Sequence, residues 1–374
     1  MKKVGIMSMQ RIANYGSFLQ AYALKQLIEK IGCNVEFVDY HVGTSLITDN
    51  KEDRNKFFRK IKKCLEVFQY KASFTHKIAF IRYKKSFLKK YMPFLGITDE
   101  MNFNPTLDCL VIGSDEVFNC IQKNSNVGYS LDLFGKNNNA DKLISYAASF
   151  GNTTLEKLKE YNKSEEIGML LQKFDAISVR DTNSRTIVEQ LTEKKVTYNL
   201  DPVLIYDYMN CCDKIPKFKT DEKYLILYAY AGRISDNESD WISAYAKEKN
   251  LKVYAIGGIQ KCADCFIDCS PFEIFSYFQN AEEIITDTFH GSIFSIITHR
   301  PFVTIIRKSV GSSYGNEEKL KDLLERLGLE NRMVEKIENT EKINNKMIDY
   351  PKVDNLLKGY RKAAKEYLKD NLGG

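Results

Sequence analysis

The stretch Glu282 to Ile306, EEIITDTFHGSIFSIITHRPFVTII, constrains the fold more than any other part of the chain. Ile284-Ile285-Thr286 is a short β-branched run of the kind buried in a parallel sheet. Asp287-Thr288-Phe289-His290 is the turn at its C-terminal end. Gly291 and Ser292 then open an apolar helix through Ile293, Phe294, Ile296 and Ile297, Pro301 stops it, and Phe302 to Ile306 form the next strand. Open α/β sheets bind ligands beyond the carboxyl ends of their strands, where helix N-termini present N–H groups. Asp287, Thr288 and His290 therefore stand where such a fold does chemistry, and Gly291 lets a backbone or a ligand come close. The plainer reading is that His290 caps its own loop; the chain has only four His.

The same order of strand, small or charged loop, and helix repeats along the chain. Val4 to Met7 reads as the first strand, Ala13-Asn14-Tyr15-Gly16-Ser17 as a turn, Leu19 to Ile28 as a helix ended by Gly32, and Val35 to Val38 as the second strand. A single Gly in that loop excludes the GxGxxG dinucleotide fingerprint. Leu107 to Gly113 is a strand that delivers Ser114, Asp115 and Glu116 to its C-terminal edge. Leu143 to Ala147 is a strand, Leu155 to Leu171 one amphipathic helix, and Ala176 to Val179 a strand ending in Arg180-Asp181. Residues 207–222 show no period and read as a linker. Beyond it, Tyr224 to Tyr228 and Leu251 to Ile256 are strands, and the helix between them takes Asp236 or Ser239 as its N-cap. The pattern predicts an α/β fold of two doubly wound, Rossmann-like domains, 1–206 and 223–350. A final amphipathic helix in 351–374 is expected to pack back on the first domain.

At 374 residues the chain suits two cores rather than one. Its 44% apolar and 28% charged residues describe a globular protein, and no apolar run approaches the ~20 residues of a membrane span. MKKVGIMSMQ lacks the apolar core of a signal peptide, so a cytoplasmic protein is expected. Nine Cys at this length do not suggest a disulfide framework. Cys262, Cys265 and Cys269 fall one short of a four-ligand metal site unless Cys211 or Cys212 joins them, so no metal is expected. The net charge of +6 favours anionic ligands.

Residues 51–92 break the rhythm, with 14 Lys or Arg against 3 acids and aromatics interleaved. They read as a helical insert with one apolar stripe and one basic face. Such a face is either merely solvated or suited to an anionic membrane surface, a lipid-linked pyrophosphate or nucleic acid. No nucleic-acid motif accompanies it, so nucleic acid is not an expected partner.

Seven segments carry a resemblance: NYGSFLQAYAL (14–24), VIGSDEVFN (111–119), SYAASFG (145–151), SVRD (178–181), LDPVLI (200–205), PFEIF (271–275) and TDTFHGSIFSIITHRPFV (286–303). In this order the chain resembles the polysaccharide pyruvyl transferase family. The resemblance implies two Rossmann-like domains facing across a cleft, as in GT-B glycosyltransferases. It also implies transfer of a pyruvyl group from phosphoenolpyruvate to sugar hydroxyls as a ketal, in surface polysaccharide synthesis, with no cofactor. The acceptor is then a sugar or lipid-linked oligosaccharide. The enzyme is expected to be cytoplasmic, or peripheral to the inner face of the membrane if the basic face of 51–92 makes that contact. His290 matches the family's His and takes the acid/base role with Asp287 beside it. Arg180 matches an Arg expected to hold the donor, joined by Thr288, Gly291 and Ser292. Many members carry Arg where this chain has Thr288; Arg233, Arg307 and Lys308, each after an expected strand end, are the candidate replacements. Asn14, Gly16, Gln20 and Asp115 are expected on the acceptor side. Two other readings use the same residues differently: a GT-B glycosyltransferase with a nucleotide sugar, and a non-catalytic scaffold acting through the basic segment.

Overall fold

The structure is a computed structural model that describes residues 1–47, 66–122, 124–308 and 317–373. The chain divides into two compact units, described one at a time. The first is built from the described residues within Met1–Asn50, Lys89–Asp207 and Asp354–Gly374. Its sheet has the order β2-β1-β3-β4-β5-β6, with β1 Lys3–Met7, β2 Asn34–Phe37, β3 Leu107–Asp115, β4 Ala140–Ala148, β5 Ile177–Val179 and β6 Val196–Tyr198. Every neighbouring pair is parallel. The helix Tyr15–Glu29 begins where Asn14 caps it, accepting from the amides of Gly16 and Ser17. The long C-terminal helix Tyr350–Leu372 contributes its residues from Asp354 onward to this unit. There the Tyr367 hydroxyl donates to the Ser145 carbonyl at 2.8 Å, and Arg361 Nε donates to the Leu204 carbonyl at 3.0 Å.

The second unit takes the described residues within Lys51–Leu88 and Tyr208–Val353. Its strands are β7 Tyr224–Tyr228, β8 Lys252–Ile256, β9 Cys265–Phe266, β10 Glu283–Thr286, β11 Phe302–Ile305 and β12 Met333–Val334. They run in the order β12-β11-β10-β7-β8-β9, again all parallel. This is the doubly wound order in which the chain reverses direction between β7 and β10. β7, β10 and β11 are buried at every residue, as strands covered on both faces must be.

Several local expectations change. The expected single helix over 155–171 is two, Leu155–Glu160 and Ser164–Leu171. Asn162 between them has φ +53°, a left-handed conformation that ends a helix and that Asn tolerates. The helix after β7 spans Asp236–Glu248 and its cap is Ser235, not Asp236 or Ser239, because Ser235 and Glu238 form a reciprocal capping box. The helix expected to open at Gly291 starts two residues earlier, at Phe289. The basic insert expected in the first domain joins the second unit in its described part before Lys89; residues 51–65 of that expectation lie outside the described residues. The expected linker starts with a helical turn whose Tyr208 stacks on Phe275 at 4.7 Å. Among the described residues, no helix is long and apolar enough to cross a membrane.

β10 sits at the centre of its sheet, between β7 and β11, and Ile285 on it is fully buried. Ile285→Ala should cost about 2–5 kcal/mol and lower the denaturant midpoint of the transition that unfolds the second unit. An unchanged midpoint would contradict the central place of this strand.

Candidate functional site

In the second unit the C-terminal end of β10 is pinned from below. Thr286 Oγ1 donates to the Tyr228 carbonyl at 2.7 Å, tying β10 to β7 at the point where the sheet order reverses. The same hydroxyl accepts from the Thr288 amide at 3.1 Å. Thr288 then caps the helix Phe289–Ile297, its Oγ1 accepting from the Gly291 amide at 2.9 Å. Gly291 is needed here because a Cβ would collide with the Thr286 and Thr288 hydroxyls of the protein's own turn. Ser292 is fully buried and bonds the Thr288 carbonyl at 3.2 Å and Thr304 Oγ1 at 2.8 Å, so it holds the helix to β11 and presents nothing outward.

That turn sets Asp287 and His290. Asp287 is fully buried, with Arg233 Nε 3.0 Å and Arg307 Nε 3.9 Å from its Oδ2. Burial pushes the Asp287 carboxyl above the usual carboxylate range, against the pull of both guanidinium groups. Arg307 is held in turn by Glu238, Nη1 at 2.6 Å and Nη2 at 3.1 Å, and Glu238 is the same residue that closes the capping box with Ser235. A two-pronged contact of this kind fixes the plane of the guanidinium. Arg233 is only partly engaged: its Nη2 is buried with no hydrogen-bond partner among the described residues. His290 is buried in the first turn of the helix, with the rings of Phe289 and Phe294 at 5.5 and 6.1 Å. Lys308 does not join this group; it is exposed and pairs with Glu335 at 3.1 Å.

In the first unit the corresponding edge carries buried ion pairs. Arg180, expected to hold a donor, and Asp115, expected to meet an acceptor, hold each other at 3.2 Å through Nη2 and Oδ1. Arg180 Nη1 also pairs with Asp201 Oδ2 at 2.9 Å. Burial alone would lower the Arg180 pKa, but the carboxylates of Asp115, Asp201, Glu116 and Asp181 raise it further, so the cation is permanent. Asp115 also accepts from Ser17 Oγ at 3.0 Å and is held at φ +83°, left-handed backbone that rarely suits a non-Gly residue. Asn14 and Gly16 start the adjoining helix, the Asn14 Oδ1 accepting from the Gly16 amide at 2.8 Å. Gln20 is fully buried and its Nε2 donates to Ser8 Oγ at 2.9 Å and to the Ser17 carbonyl at 3.1 Å. The described Cys262, Cys265 and Cys269 are free thiols, and no group of three or more His, Cys, Asp or Glu among the described residues is arranged for a metal ion.

Sequence reasoning missed Glu238 and Asp201. Both had a local signature, the Ser-x-x-Glu of a capping box and an acid ahead of Pro202 at a helix start. The signature marks the cap, whereas the bond to an arginine comes from tertiary packing.

No curated protein matches the chain. Among solved structures it is similar in fold to S. aureus MnaA in a co-structure with UDP, at 10% identity and TM-score 0.50, covering 100% of this chain and 97% of that one. It is also similar to the UDP-GlcNAc 2-epimerase from Neisseria meningitidis bound to UDP-GlcNAc, at 11% identity and TM-score 0.50, covering 100% and 99%. These likenesses show the expected class of two Rossmann-like α/β units. The model of one family, polysaccharide pyruvyl transferase, matches residues 14–309, most of the chain and all the edge residues described above. The chain therefore belongs to the polysaccharide pyruvyl transferase family and is an enzyme of that type.

Proposed function

We propose that the protein moves a pyruvyl group from phosphoenolpyruvate onto two hydroxyls of a sugar, free or carried on a lipid, in surface polysaccharide synthesis. We assign the donor to the β7/β10 edge of the second unit. The observation that carries this assignment is Arg233, whose buried Nη2 lacks a hydrogen-bond partner among the described residues. A buried donor left without a partner is costly, and a phosphate or carboxylate oxygen is its natural complement. Phosphoenolpyruvate carries both groups. Arg307 adds a second cation, and the helix beginning at Phe289 adds its N-terminal dipole.

In this reading Asp287 is a positioning residue. It is too deeply buried to reach a sugar and instead holds the guanidinium groups of Arg233 and Arg307. His290 gives a proton to C3 of the enol. A sugar hydroxyl bonds to C2, the bond from C2 to the phosphate oxygen breaks, and a second hydroxyl closes the ketal. Of the two hydroxyl protons, one restores His290 and the other leaves with phosphate. Asp115, paired with Arg180 and bonded by Ser17, is assigned to an acceptor hydroxyl in the first unit. Arg180 thereby acts through Asp115 rather than on the donor.

Arg233→Ala should weaken phosphoenolpyruvate binding about tenfold or more, the order expected for a charged hydrogen bond, as read by calorimetry on the whole chain. Tight binding of a nucleotide sugar with no response to phosphoenolpyruvate would overturn the donor assignment. His290→Ala should keep that binding within a few-fold and lower transfer by roughly 10²–10⁴; full transfer in this variant would remove His290 from the chemistry.

A further inference from the structure

The helix Phe74–Tyr91 carries six cations and no acid: Lys77, Arg82, Lys84, Lys85, Lys89 and Lys90. The sequence holds no Asp or Glu anywhere from Val67 to Thr98. One face of the helix is committed. Phe80, Tyr83 and Phe87 are buried, with Phe80 and Tyr83 edge-on to Phe266 of β9 at 5.6 and 6.1 Å. Helical periodicity places Phe74, Ile78, Arg82, Lys85 and Lys89 on the opposite face, and all five are exposed. Phe74 is 68% exposed and Ile78 39%. Phe68, itself exposed, stands 6.3 Å from Phe74 and enlarges the apolar end of that face.

A phenylalanine and an isoleucine one turn apart on the outermost line give this basic face an apolar strip. Cations spaced along a helix without acids do not stabilise it; they repel one another. Both features suit a surface that is anionic at one depth and apolar just beneath. Nucleic acid offers the phosphates without the apolar layer, and a second copy of this face would bring cations against cations. We infer that this face docks the protein on an anionic lipid bilayer. The helix, about 27 Å long at ~1.5 Å per residue, lies flat, with Phe68, Phe74 and Ile78 at the acyl boundary and Arg82, Lys85 and Lys89 at the headgroup phosphates. The inference deepens the pyruvyl-transfer reading, since it brings the enzyme to an acceptor carried on lipid.

The test is co-sedimentation of the full chain with vesicles of phosphatidylcholine alone or mixed with phosphatidylglycerol, without donor or acceptor sugar. Binding is expected on the mixed vesicles only, falling as salt is raised. The variant combining Arg82→Glu, Lys85→Glu and Lys89→Glu should bind at least about tenfold more weakly. Phe74→Ser with Ile78→Ser should also bind more weakly, with unchanged circular dichroism. Equal binding to both vesicles, binding untouched in both variants, or association of the wild-type chain with itself or with an RNA oligonucleotide in place of vesicles would overturn the inference. Phosphoenolpyruvate binding, measured separately on the same variants, stays intact if only the docking idea fails and is absent from the wild type if the transfer reading fails.

Discussion

Every strand pairing named in both sheets is parallel, and this constraint governs the rest. Parallel neighbours cannot be joined by tight hairpins, so each strand must be followed by a crossover that returns the chain to the same end of the sheet. All the loops that leave strand C-termini consequently collect on one edge of each sheet. Strands buried on both faces read as apolar runs, as YLILY in β7 and EIIT in β10 do, and polar function is confined to those edges. Asp115, Arg180, Arg233, Asp287 and Arg307 all follow or end strands for this one reason.

The two edges settle their charges differently. In the first unit Arg180 sits between Asp115 and Asp201, and Asp115 has Ser17 as well. Buried ions are tolerated when paired and hydrogen-bonded, and removing one partner leaves the other exposed to the full desolvation penalty. In the second unit Asp287 is shared between two arginines, Arg307 is drawn toward Glu238, and Arg233 keeps a buried N–H without a partner. The proposed donor site rests on that buried N–H of Arg233.

Much of the skeleton was legible locally. The β-branched runs marked the strands, Pro301 marked the end of the helix carrying His290, and the segment motifs marked the family. What was not legible locally was depth. Gln20 and Ser292 carry polar side chains in motif-rich stretches, yet both are fully buried and bonded within the fold. Asn162 split a helix that periodicity alone would have continued, because periodicity is silent about a single left-handed residue. The basic helix was visible in composition, whereas its direction was not: Phe80, Tyr83 and Phe87 turn inward while Phe74 and Ile78 turn out.

The sequence by itself determined the α/β class, the family and the residues that gather near strand ends, because these rest on local pattern: period, caps and short motifs. Only the tertiary structure decided which of those residues meet. The strand order places β7 beside β10, which brings Arg233 to Asp287 across 54 residues of chain, and packing of the next helix brings Glu238 to Arg307. It likewise turned an expected donor ligand, Arg180, into the partner of an expected acceptor ligand, Asp115. Charge pairing depends on distances of a few ångströms in a low-dielectric interior, and such distances are set by the order in which strands assemble, which no local pattern encodes.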